Sequence, residues 1–160
     1  MINLKLDKSQ IGLAGEYYVL AQLTSRGLIA TLTLGNTKGI DILVTNQEAN
    51  KLFKVEVKST QSKISRSLLF SDKKQYQWTM SKKHEKIIDE NLIYCFVHFE
   101  SVDKLPKFFL VPSKKVATYV ENQHRKWLNE RNGTDNPMRK FRILIDDPEN
   151  FENNWSLFSV

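Results

Sequence analysis

Leu92-Ile93-Tyr94-Cys95-Phe96-Val97 is the longest unbroken apolar run in the chain, and only His98 separates it from Phe99. It is far shorter than the roughly 20 residues a membrane helix needs. No polar position recurs along it to let one side meet water, so it reads as a β-strand covered on both faces. Such a strand needs a packed layer above and below. The expected architecture is therefore α/β, a mixed sheet with helices on its faces. The 160 residues suit one domain, 1–160, large enough to enclose a core without disulfides. Cys95 stands alone, so it forms no intramolecular disulfide and no zinc site of several thiolates. It reads as a small core residue.

The rest of the chain divides by its punctuation. A helix is expected from about Ser9 to Arg26, capped by Ser9 and closed by Gly27. Strands follow at Leu28–Leu34, Ile40–Thr45 and Leu52–Ser59, separated by the turn clusters 35–39 and 46–50. Ser71 and Asp72 suggest the start of a second helix running towards Asp89. Leu92–Phe99 and Lys107–Val111 are further strands, the latter stopped by Pro112. Ser113–Arg131 is a helix ended by Asn132-Gly133, and Phe141–Ile145 a last strand before an acidic tail. The N-terminal residues alternate apolar and charged without a signal-length apolar stretch, so a reduced, cytoplasmic compartment is the expectation.

Three carboxylates sit where carboxylates are costly. On the first helix, Gly12, Leu13, Val19, Leu20 and Leu23 fall within about 60° of Glu16, which places that carboxylate in the apolar stripe. It either pairs with a lysine or caps a neighbouring backbone, or it faces a site containing a cation. Asp41 interrupts the apolar strand Ile40–Val44, where aspartate is a poor strand former; a strand-end aspartate bonded to turn amides is the structural alternative. In Val55-Glu56-Val57-Lys58, two-residue spacing puts Glu56 and Lys58 on one face. Taken alone this is an exposed ion pair. If the strands pair as a meander, however, Asp41 and Glu56 lie side by side. Two carboxylates, a backbone carbonyl and water suit a hard cation such as Mg²⁺, and Lys58 would place positive charge beside a phosphate.

Glu16, Gly39-Ile40-Asp41 and Glu56-Val57-Lys58 resemble the PD-(D/E)XK nuclease superfamily, which includes many restriction endonucleases and Holliday junction resolvases. The resemblance covers about residues 9–100, with 101–160 as a C-terminal extension. It implies a restriction endonuclease-like core ordered α-β-β-β-α-β, and hydrolysis of phosphodiester bonds. Asp41, Glu56, Glu16 and the Val57 carbonyl would hold Mg²⁺, with Mn²⁺ as substitute, and Lys58 would be the catalytic lysine. Gly12 to Glu16 is similar to the opening of the resolvase-like branch. Ile40 stands where the family's proline precedes the aspartate. The Gln-x-x-x-Tyr motif of some exonuclease branches is absent, since Thr79 follows Gln75 by four. The implied partner is nucleic acid, foremost DNA, and the family allows a homodimer. The alternative is a catalytically silent module on the same fold that binds nucleic acid or protein.

Charge fits a polyanionic partner without establishing one: 24 Lys+Arg against 18 Asp+Glu leave +6 and a pI near 9.4. The excess is densest after the core, where residues 101–142 carry +6 and residues 143–160 carry −4. Arg125-Lys126-Trp127 and Arg139-Lys140-Phe141-Arg142 interleave cations with aromatics, a composition suited to phosphate contact and base stacking. Lys63 and Arg66, after the third strand, are further candidates. So are Lys73 and Lys74, in the first turn of the expected second helix and thus against its dipole. His84, His98 and His124 have no second ligand at metal spacing, which argues against zinc. No P-loop or Gly-x-Gly-x-x-Gly turn is present.

Overall fold

A computed structural model describes residues 6–35 and 37–159. The alternating residues 1–5, Asn36 of the first turn cluster and Val160 lie outside it. Helix α1 (Lys8–Thr24) is capped by Asp7, not by Ser9. The Asp7 carboxylate accepts from the Gln10 N–H at 2.8 Å, and the Gln10 side chain accepts from the Asp7 N–H at 3.0 Å. This reciprocal box satisfies two open amides where a Ser9 cap would satisfy one. Gly27 turns the chain out of the helix at φ +79°.

Strands β1 (Ile29–Leu32), β2 (Ile42–Thr45) and β3 (Leu52–Thr60) form the expected antiparallel meander. The second expected helix does not exist. Ser65–Ser67 is a short strand β4, Ser71–Ser81 is a long strand β5, and only Lys82–Glu85 makes a 3₁₀ turn. The helix-start residues Ser71 and Asp72 are overridden by the side chains further along the same segment. Tyr76, Trp78 and Met80 recur every second residue, the strand period, and all three are buried. The Trp78 Nε1–H donates to the Val97 carbonyl at 2.9 Å, locking that face inward. Lys73 and Lys74 therefore lie on a strand, and the α-β-β-β-α-β order gives way to one with a β-arm in the second helix's place.

Strand β6 (Leu92–His98) pairs parallel with β3, and β7 (Lys107–Pro112) antiparallel with β6. The central sheet is mixed, in the order β1-β2-β3-β6-β7. Helix α2 (Ser113–Arg131) follows β7 directly and ends at Asn132, which takes the left-handed conformation at φ 45°. Strand β8 (Met138–Leu144) pairs with β5, so β4-β5-β8 make a second sheet. Every residue of β6 is buried, as its apolar run requires. Ile93, Cys95 and Val97 enter one core with β2, Val55 and α1; Tyr94 and Phe96 enter another with Trp78, Phe141 and α2. The acidic tail docks on its own domain: Phe151 joins the second core, Trp155 and Phe158 join the first, and Glu152 bridges to Phe109 on β7. Among the described residues no helix is long and apolar enough to cross a membrane.

Candidate active site

The site forms where β2 stops short of β3. Asp41 precedes β2 and holds its backbone in the ladder, donating its N–H to the Val55 carbonyl at 2.8 Å. Its side chain then reaches past the end of the pairing, where Oδ2 accepts from the Val57 N–H at 2.6 Å. The N–H and C=O of one strand residue point to the same side. The Val57 carbonyl therefore also opens towards Asp41. The meander sets Asp41 beside Glu56, as the sequence anticipates.

Glu56 is only 2% exposed, an extreme position for a carboxylate. Its Oε1 contacts the Lys58 Nζ at 2.6 Å and the His84 Nε2 at 3.2 Å. Its Oε2 is buried without a hydrogen-bond partner. Gly39 borders that oxygen: at φ +71° it takes a conformation few other residues accept, while a Cβ there would meet Oε2 only at an ordinary contact distance of 3.4 Å. Tyr94 is in register with Glu56 on β6, and its buried hydroxyl neighbours that carboxylate without completing a well-formed hydrogen bond to it. Burial pushes the Glu56 pKa up, but the His84 hydrogen bond and the Lys58 charge outweigh it and bring the group from 4.5 down to about 2. Asp41 moves the other way: burial raises it more than the Val57 amide and Lys58 lower it.

Glu16 arrives from α1, which packs on the Val55 and Val57 face of β3. Gly15 allows the approach, because a Cβ at that position would fall 1.8 Å from the Ser59 Oγ. Glu16 is half-buried, and Leu13 beside it is exposed, so the carboxylate sits at the edge of the apolar stripe and not at its centre. Burial and then the Asp41 charge raise its pKa, while Lys58 lowers it. Glu16, Asp41, Glu56 and Lys58 thus come to one place.

His84 joins them unforeseen. A carboxylate can only accept, so the His84 Nε2 carries the proton towards Glu56, and Nδ1 accepts the Ser81 N–H at 3.0 Å. The spacing of the histidines speaks against a metal cluster but carries no trace of one imidazole meeting a carboxylate 28 residues away. For Tyr94 a signal existed: a polar tip within the doubly covered strand. Among the described residues no group of three or more His, Cys, Asp or Glu side chains forms a ready-made metal cage. Mg²⁺ does not require one, since it commonly takes one or two carboxylates and completes its shell with water and phosphate oxygens. An orphaned Glu56 oxygen beside Asp41 and the Val57 carbonyl fits such an ion.

The basic candidates separate. Arg66 on β4 and Lys74 on β5 lie directly opposite each other and are both exposed, a like-charge pair that does nothing for the sheet. Lys63 and Lys126 are also exposed. Lys73 is paired with Asp146 at 2.7 Å and Arg125 with Glu121 at 2.9 Å. Arg139 is a correction: it is 3% exposed, bonded to Glu85 and to the Asn136 carbonyl, and it faces inward instead of towards a phosphate. Trp127 is half-buried, stacked on His124 and packed over Gly133.

Mixed sheet, flanking helices and the opening beside β3 define a nuclease-like α/β fold. The chain is similar to the solved structure of a bacterial homing endonuclease, I-Ssp6803I, with a TM-score of 0.59 over 95% of this chain and 93% of that one, at 14% identity. No family model and no curated protein matches the chain.

Proposed function

We propose that this protein is a metal-dependent nuclease of the PD-(D/E)XK type that hydrolyses phosphodiester bonds in DNA. The observation that carries the reading is the buried Glu56 carboxylate, with one oxygen tied to Lys58 and His84 and the other unpartnered beside Asp41. A fold with no use for that oxygen would lose stability by keeping it. The similarity to a homing endonuclease supports the choice of DNA as substrate.

Asp41, Glu56 and the Val57 carbonyl would hold Mg²⁺ or Mn²⁺, with Glu16 completing the acidic rim. The ion would lower the pKa of a water and draw charge from the phosphoryl group. Hydrolysis adds water across one P–O bond, and negative charge builds on the phosphoryl oxygens as it proceeds. The Lys58 side chain is 27% exposed, so its ammonium can face both Glu56 and a bound phosphate and offset that charge. His84 donates to Glu56 and holds its carboxylate in one orientation, as partners behind metal ligands commonly do.

The test is cleavage of linear duplex, single-stranded DNA, branched DNA and RNA in Mg²⁺ or Mn²⁺, beside Lys58→Ala and Asp41→Ala. Metal-dependent cutting of DNA that both substitutions abolish is the expected result. Cutting retained by Asp41→Ala would overturn the assignment. Salt-sensitive binding by the folded chain, without cleavage of any substrate, would identify a silent binding module.

A further inference from the structure

The 3₁₀ turn Lys82–Glu85 brings His84 to the carboxylate cluster, and it is tied down from several sides. Ser81, just before it, pairs with Met138 where β5 and β8 end. The Lys82 N–H donates to the Pro137 carbonyl at 2.9 Å, and the Lys82 ammonium meets Asp135 at 2.6 Å. Glu85 is bonded to the buried Arg139. The Lys86 N–H closes the turn on the Lys83 carbonyl at 3.2 Å.

A 3₁₀ helix has three residues per turn, so consecutive side chains leave it about 120° apart. Lys82 takes the direction of Asp135. His84 takes that of Glu56, whose Oε1 lies 3.2 Å from the His84 Nε2. The third direction belongs to Lys83, which is exposed and makes no ion pair among the described residues. It is one residue from the imidazole that holds Glu56, on a backbone with little room to swing away. Its charge reaches the cluster: burial dominates the raised Asp41 pKa, and among the influences that pull against it are Lys58 and then Lys83.

The two lysines differ in what they hold. Lys58 is committed to Glu56 at 2.6 Å, whereas Lys83 has no protein partner among the described residues. A DNA strand approaching Glu16, Asp41 and Glu56 meets like charge, and an uncommitted cation at the rim offsets that repulsion. Phosphates on one strand recur every 3.4 Å or so along the helix axis. A strand with one phosphate at Lys58 therefore presents neighbouring phosphates to the rim.

We propose that Lys83 is a substrate-positioning residue, its ammonium taking a phosphate that flanks the scissile one on the strand being cut. The proposal rests on the nuclease reading and adds to it a second point that fixes how the strand lies across the site. A lysine that merely balanced the carboxylates would act on them with any substrate. A lysine that holds one phosphate acts through that phosphate alone.

The experiment uses the full chain and duplexes in which one phosphate at a time, on either side of the cut, is replaced by a neutral methylphosphonate. Lys83→Ala should keep the parent Tm and lower kcat/KM on the unmodified duplex roughly tenfold, as loss of one charged hydrogen bond implies. Lys83→Arg should restore most of it. At one flanking position the methylphosphonate should slow the parent by a similar factor and slow Lys83→Ala no further, the non-additivity of two partners in one contact. In the Asp41→Asn background, where the duplex stays intact, adding Lys83→Ala should reduce the slope of log K against log salt by about 0.9. A parent that cuts no DNA overturns the nuclease reading and the role of Lys83 with it. A parent that cuts while Lys83→Ala cuts equally well overturns the role of Lys83 alone. So does a slow Lys83→Ala whose losses add to those of the methylphosphonate at every position, since the lysine then acts only on the carboxylates.

Discussion

Glu56 and Asp41 are neighbours whose pKa values move in opposite directions, and the reason lies in what each one touches. Burial opposes charge on both. Glu56 has His84 and Lys58 to overcome it and falls to about 2; Asp41 has chiefly one amide and remains raised. For Glu56 the folded value is below the ordinary 4.5. Its charged form therefore stabilises the fold above about pH 4.5, and that contribution disappears as pH falls towards about 2. Glu56→Gln should flatten the loss of stability across this window, measured by denaturant melts at successive pH values. An unchanged slope would show that Glu56 is not held charged. Asp41 carries the opposite sign, since a raised folded pKa makes its charge a burden at neutral pH. Asp41→Asn keeps an acceptor for the Val57 N–H and removes the charge. It should hold or raise Tm at pH 7 while abolishing metal-dependent cleavage; a clear fall in Tm would contradict the burial argument.

Among the elements, the contact of α1 with β3 sets the site's depth. Gly15 is required because its neighbour is Ser59 at a separation no Cβ tolerates. Gly15→Ala should push the helix away and cost roughly 1–3 kcal/mol, as overpacking does. Adding Ser59→Gly, which removes both nearest atoms, should recover part of that loss in urea titrations; no coupling between the two changes would mean that α1 does not depend on this contact. Strand β5 shows the reach and the limit of local reading. Its alternation of Tyr76, Trp78 and Met80 is visible in the chain, yet Ser71-Asp72 imitates a helix start. The tie is broken by Trp78 meeting Val97 and by Phe141 stacking on Phe96 with centroids 4.4 Å apart. Both partners come from distant segments.

At the scale of the whole molecule, charge divides into cations that face solvent and cations that hold the fold. Arg66→Ala and Lys74→Ala should each reduce the slope of log K against log salt for duplex DNA by about 0.9, one phosphate contact apiece. Melting behaviour should not change, and an unaltered slope would remove the β4–β5 arm from the interface. Arg139→Ala should act in reverse, costing about 3–5 kcal/mol by stranding Glu85, and a stable variant with weakened binding would reverse its assignment. The chain by itself determined the doubly covered strand, the Glu56/Lys58 face and the identity of the carboxylates, because periodicity and residue chemistry act over a few positions. Only the tertiary structure decided that β5 is a strand, that His84 meets Glu56, that Arg139 turns inward and that the acidic tail packs on its own domain. Each of those depends on which side chain fills the space opposite, and that space is built by elements tens of residues apart.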